Sequence, residues 1–171
     1  MKKVFADTGY WIALLNPDDD LHQKARQISI SLISTPIVTS EMVFTELLNA
    51  FSSKGKSYRQ KAVRFIKHAF TNPEIEVILQ TDTLFQNALE LYDQRSDQAW
   101  SHTDCTSFQI MQQQNILEAI AYDKHYPNRS SNHRQTHIYP ATNQPDTIRY
   151  FARCHRFLLS KTQTSTQKNI L

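Results

Sequence analysis

The 171-residue chain predicts an α/β fold in three layers, a mainly parallel central sheet with helices on both faces. Two observations point there. Short apolar runs alternate with longer stretches of helical periodicity, in the order strand, helices, strand, helices, strand, two helices, strand. Residues that start or stop helices, such as Asn16-Pro17 and Thr81-Asp82, fall between these runs. Strands separated by helical crossovers pair in parallel, because each crossover carries the chain back to the same end of the sheet.

Lys2 to Asp7 reads as a short, mostly buried strand ending in a carboxylate. Thr8 to Leu15 follows as a helix, with Trp11, Ile12, Leu14 and Leu15 apolar and Asn16-Pro17 as its stop. Asp18, Asp19 and Asp20 precede a second helix, Leu21 to about Ser34. Acids at a helix start are favoured by the helix dipole and can accept from its free N–H groups, so this triple is read as capping and not as a metal site. Pro36 to Thr39 is a short strand, and Ser40 opens a helix whose apolar stripe is Met42, Val43, Leu47 and Ala50, broadened by Phe44, Leu48 and Phe51.

Lys54-Gly55-Lys56-Ser57 breaks that helix, and Tyr58 to Phe70 forms the next. Its polar face carries Arg59, Lys61, Arg64 and Lys67, which is read as ordinary solvation, with contact to a phosphate backbone as the lesser alternative. Ile75 to Leu79 suits a strand, Thr81-Asp82 caps a helix to about Arg95, Thr103 caps another from Asp104 to about Gln114, and Ile116 to Tyr122 is the last strand. Trp11, Trp100 and Phe108 are expected in the core, and Asp82 and Asp97 in solvent.

Composition changes after Tyr126. Up to that residue the chain has 12 Lys and Arg against 15 Asp and Glu; from Pro127 onward it has 7 against the single Asp146. The chain is therefore divided into a folded domain, residues 1–126, and an atypical basic tail, 127–171, without glycine and with only Ile148 to Leu159 capable of an amphipathic helix. A final edge strand is expected to be missing or replaced there, through a shifted reading frame. No run approaches the roughly 18 apolar residues of a membrane helix, and Asp7 comes too early for a secretory signal. A soluble, cytoplasmic protein without membrane contact is expected. Cys105 and Cys154 form neither a disulfide framework nor a zinc site.

The chemistry-bearing residues are acids. In an open parallel sheet, functional groups collect at the carboxyl ends of the strands. Asp7 ends the first strand, Asp123 follows the last, Asp104 opens a helix after a loop, and Glu46 lies inside the helix after the second strand. A parallel sheet brings all of them to one rim. Such carboxylates repel one another unless a cation neutralises them. Oxygen donors suit Mg²⁺ or Mn²⁺, which keep several waters and take only one or two carboxylates directly. Asp7 and Asp104 each have a capping alternative; with Thr103 as the cap, the carboxylate of Asp104 is left for a ligand role. Thr8 and Thr103 are expected either to bond the site's waters and carboxylates or to cap.

Four segments in register resemble the PIN domain, and most closely its bacterial VapC-like branch: Val4-Phe5-Ala6-Asp7-Thr8, Glu41 to Asn49 around Glu46, Trp100 to Phe108 around Asp104, and Ala121 to Tyr126 around Asp123. The resemblance spans about residues 1–126. It implies a PIN-like fold and a metal-dependent endoribonuclease that hydrolyses RNA phosphodiester bonds. It also implies an antitoxin protein as partner, or else a role in RNA processing, and a homodimer. Asp7 and Asp104 are then the principal metal ligands, Glu46 assists in binding metal and positioning water, and Asp123 completes an outer site. His125 occupies the place of a His-aromatic pair and is read as structural. Two other functions compete: a catalytically weak module that binds RNA or protein, and a phosphatase or receiver-like protein built on Asp7. Gly9 stands where the Asp-x-Asp phosphatase motif has its second acid, which counts against the latter.

Overall fold

The computed structural model describes residues 2–122 and the strand 136–140. In chain order the elements are β1 (Val4–Ala6), α1 (Thr8–Leu15), α2 (His22–Ser31), β2 (Ile37–Ser40), α3 (Glu41–Phe51), α4 (Lys56–Ala69), β3 (Ile75–Ile78), α5 (Asp82–Gln94), α6 (His102–Gln113), β4 (Glu118–Tyr122) and β5 (Thr136–Pro140). The sheet runs β3-β2-β1-β4-β5. Its first four strands are parallel, with Val4 opposite Ile37, Phe5 opposite Ala119, and Ile37 opposite Ile75.

Handedness distributes the helices. The chain steps outward from β1 to β2 to β3 and then returns across the sheet to β4. Right-handed crossovers therefore place α1 to α4 on one face and α5 with α6 on the other. The predicted three-layer α/β architecture is the one observed.

The core explains the short strands. Val4, Phe5 and Ala6 are all buried, as expected of a central parallel strand covered on both faces. Tyr10, Trp11, Val43, Leu47 and Phe51 pack into the same apolar cluster. Trp11 meets Phe65 at 4.7 Å between ring centroids, and Phe44 lies edge-on to Phe65 at 5.9 Å, which seats α4 over α1 and α3. A separate cluster of Ala88, Leu91, Trp100, Cys105 and Phe108 joins α5 to α6. Thr39, fully buried on β2, ties the central elements through one hydroxyl. It donates to the Ala6 carbonyl at 2.9 Å and accepts from Trp11 Nε1 at 3.2 Å.

Several element boundaries shift from the sequence expectation, and two of the shifts have a clear local cause. Helix α4 starts at Lys56, two residues before Tyr58, because Gly55 at φ 91° provides a sharp turn immediately before it. Helix α2 starts at His22; Asp19 accepts the Leu21 N–H at 3.0 Å in the preceding turn, while Asp18 accepts from the Tyr58 hydroxyl at 2.6 Å. The final edge strand, expected to be missing or replaced beyond residue 126, is not missing. Thr136–Pro140 pairs antiparallel with β4, Glu118 opposite Pro140 and Tyr122 opposite Thr136, so the sheet takes its fifth strand from beyond residue 126. The candidate helix at Ile148 to Leu159 lies outside the described residues.

Replacing Thr39 with Val keeps the volume but leaves Trp11 Nε1 without its acceptor. Urea denaturation should show a loss of about 1–3 kcal/mol, the cost of a buried unpaired donor. A Thr39→Ser variant should recover most of it.

Candidate active site

Asp7 is held by the sheet it terminates. Its N–H donates to the Ile120 carbonyl of β4 at 3.0 Å and its carbonyl accepts from Tyr10 at 3.2 Å. It occupies the N-cap position of α1, yet its side chain makes no capping bond, so the capping alternative does not apply. The next residue, Thr8, is buried and donates its hydroxyl to Glu46 Oε2 at 2.7 Å. Glu46 is half-buried in the second turn of α3. That helix is fixed at its start by Ser40, whose Oγ accepts from Val43 N–H at 3.3 Å, and by Glu41, whose Oε2 accepts from Gln80 N–H at 2.7 Å beyond the end of β3. The hydroxyl of Thr8, the residue after Asp7, thus ties the start of α1 to Glu46, 38 positions further along the chain.

Asp104 is placed differently from the expectation. The cap of α6 is Ser101, not Thr103: Ser101 Oγ accepts from Asp104 N–H at 3.0 Å, and Asp104 Oδ2 accepts from Ser101 N–H at 2.7 Å. This is a reciprocal capping box, and it was legible as Ser-x-x-Asp. Asp104 therefore does carry a capping role. A carboxylate offers about four lone-pair sites, so one such bond leaves acceptor capacity for a ligand. Thr103 is buried, and Ser107, one turn beyond Asp104, is fully buried with no hydrogen-bond partner for its hydroxyl.

Three of the four predicted acids thus come from neighbouring elements, since α3 packs against both α1 and α6. Glu46 is bonded to Thr8, the neighbour of Asp7 in the chain, and Asp104 lies on α6. Among the described residues no three of His, Cys, Asp and Glu form a metal-holding group. Asp123 and His125 lie outside the described residues. The donor chemistry at Asp7 and Glu46 fits a hard cation, because both supply oxygen only. Burial first, and the neighbouring Asp104 charge second, push the Cys105 thiol up to about 11 against the opposing pull of Arg95, so it is protonated at neutral pH.

Comparison with known proteins identifies the family and the fold. Residues 4–130 match the PIN domain model, and the chain belongs to that family. It is 30% identical over 124 residues to the 23S rRNA-specific endonuclease VapC20 of Mycobacterium tuberculosis, in strains CDC 1551 / Oshkosh and ATCC 25618 / H37Rv, across 70% of this chain and 88% of the relative. Its fold is similar to the crystal structure of M. tuberculosis VapC20, described as a Sarcin-Ricin loop cleaving toxin. The TM-score is 0.64 at 25% identity, over 78% of this chain and 100% of that one. The resemblance to the VapC-like branch holds. No helix among the described residues is long and apolar enough to cross a membrane.

Ser101→Ala should lower stability by about 0.5–2 kcal/mol, the usual cost of losing an N-cap, and Thr103→Ala by clearly less than a cap's worth. Thermal melts of the two variants side by side check this. Cys105 should also resist alkylation at pH 8 in a Cys154→Ser background until the chain is unfolded. With the folded pKa raised, its contribution to stability is complete below the unfolded thiol pKa and is lost as pH rises toward about 11.

Proposed function

We propose that this chain is a metal-dependent endoribonuclease, the toxin of a toxin–antitoxin pair, whose site is Asp7, Glu46, Asp104 and Asp123. The observation that carries the reading is the bond from the Thr8 hydroxyl to the carboxylate of Glu46, made by the residue that follows Asp7 at the end of the central strand of a PIN-family chain. The rRNA-cleaving relatives support RNA as substrate. They also support a toxin role, and hence an antitoxin protein as partner; a homodimer is the proposed assembly.

Asp7 and Glu46, with Asp104 and Asp123, are the proposed holders of Mg²⁺ or Mn²⁺. When bound, such a cation supplies a lowered water pKa and neutralises charge on the phosphoryl oxygens. The protein's own contribution is placement. Asp7 is rigid because its backbone is part of the sheet. Thr8 fixes one oxygen of Glu46, which aims the other at the water or cation it positions. A second reading, a catalytically weak binding module, draws on the engagement of Asp104 in a capping box and the absence of a three-acid group among the described residues.

Purified protein should cleave labelled RNA with Mg²⁺ or Mn²⁺ and stop with EDTA. Asp7→Asn should reduce cleavage by at least ~100-fold and Thr8→Val by about 10–100-fold, the usual scale for the partner that orients a metal ligand. Thr8→Ser should retain most activity. Undiminished cleavage by Asp7→Asn would sink the proposal, and tight RNA binding without cleavage would favour the binding module. Light scattering of the purified chain checks the dimer.

A further inference from the structure

Charge in this fold is segregated to a degree that solvation does not require. Between residues 2 and 122 there are 11 Lys and Arg against 14 Asp and Glu. Six of those cations, Lys54, Lys56, Arg59, Lys61, Arg64 and Lys67, lie between Leu47 and Pro73, a stretch without one acid. This stretch is the end of α3, the turn and all of α4. The remainder of the described chain carries 5 Lys and Arg against 14 Asp and Glu, so this hairpin is the densest run of positive charge that a polyanion meets there.

The individual side chains separate into two groups. Lys61 is committed: its ammonium donates to the Leu15 carbonyl at 3.0 Å and lies 5.6 Å from the centre of the Tyr58 ring. Together with the Tyr58–Asp18 bond it pins α4 to the end of α1, which keeps the helix from shifting when its outer face is loaded. Lys56, Arg59, Arg64 and Lys67 are exposed. The ion pairs found among the described residues, Lys2 with Glu118, Lys3 with Glu76 and Arg95 with Asp97, involve none of them. At 100° per residue, Lys56, Arg64 and Lys67 line the side of α4 opposite its buried Ala62 and Ala69, with Arg59 on the flank. From Lys56 to Lys67 is about 16 Å of helix, roughly five 3.4 Å steps along one nucleic-acid strand. Helix α4 packs on α3, the helix that carries Glu46.

We infer that the outer face of α4, through Lys56, Arg59, Arg64 and Lys67, is a phosphate-backbone tract that holds the RNA flanking the cleaved bond. This rests on the reading of RNA as substrate. Contacts of this kind position a strand without reading its bases, so the tract sets affinity and register while sequence preference arises elsewhere.

The test uses the full chain carrying Asp7→Asn, in EDTA, binding a labelled RNA hairpin across a salt series; residues 127–171 then contribute equally in every variant. Changing Lys56, Arg59, Arg64 and Lys67 together to Gln should weaken binding on the order of 10²-fold and flatten the log–log salt slope by about 3, at roughly 0.7–0.9 per lost phosphate contact. The control Lys24→Gln/Arg26→Gln, on the exposed side of α2, should leave both unchanged. A quadruple variant with a normal melt and unaltered affinity and slope overturns the tract, as does an equal loss in the control. Binding of a polyglutamate peptide but not RNA to this face overturns it in favour of an acidic protein partner. Failure of the two readings is distinguishable. An active enzyme indifferent to the quadruple change removes the tract alone; a chain that binds RNA through α4 yet never cleaves it removes the nuclease alone.

Discussion

Every functional position in this molecule depends on the burial of a strand three residues long. Val4, Phe5 and Ala6 have no exposed face, and β1 pairs on both edges, with β2 and with β4. A backbone in that position must satisfy all its polar groups internally, since water cannot reach them. The chain does so beyond the strand as well: Val4 N–H meets the Pro36 carbonyl, Asp7 N–H meets that of Ile120, and the Ala6 carbonyl takes a bond from the Thr39 hydroxyl. Asp7 is consequently fixed by hydrogen bonds that have nothing to do with its carboxylate. The side chain is presented at the rim with little freedom of its backbone, which is what a preorganised ligand requires.

The same economy extends to the neighbouring helices. Ser40 finishes β2 and caps α3, Glu41 clasps the segment after β3, and Glu46 lies just over one turn further along α3, within reach of Thr8. On the other face, Ser101 and Asp104 close α6 upon themselves. The polar residues at the rim thus serve the helices' unpaired ends and the site at once. The basic residues are kept apart on α4, where they do not neutralise the acids they would otherwise pair with.

Local periodicity was enough to place the first four strands and six helices, because each has an apolar stripe or run of the right length bounded by Pro, Asn, Thr or Ser. Asp7 and Asp104 were legible from their places next to a strand end and a helix start. What could not be read were contacts across the chain. The bond between Thr8 and Glu46 spans 38 positions and leaves no pattern in either segment. The cap of α6 was assigned to Thr103 because it immediately precedes the acid, although Ser101 has the spacing that a capping box demands. Strand β5 was hidden by its surroundings: Thr136-His137-Ile138-Tyr139-Pro140 holds good strand formers, but an edge strand needs only a short run, and the flanking residues are mostly polar. Pro140, discouraging in the middle of a sheet, is acceptable at the end of an edge strand.

The apolar interior is divided, and that division bears on cooperativity. The cluster of Ala88, Leu91, Trp100, Cys105 and Phe108 is separate from the main core, and Trp100 is braced from outside by the Arg95 guanidinium 4.7 Å from its ring centre. The division is not complete, because Leu84 of α5 and Ile110 and Met111 of α6 belong to the main cluster. Parting that helical pair from the sheet would expose apolar surface of the larger core too, so the helix that carries Asp104 is held to the strand leading into Asp7 by packing as well as by the chain.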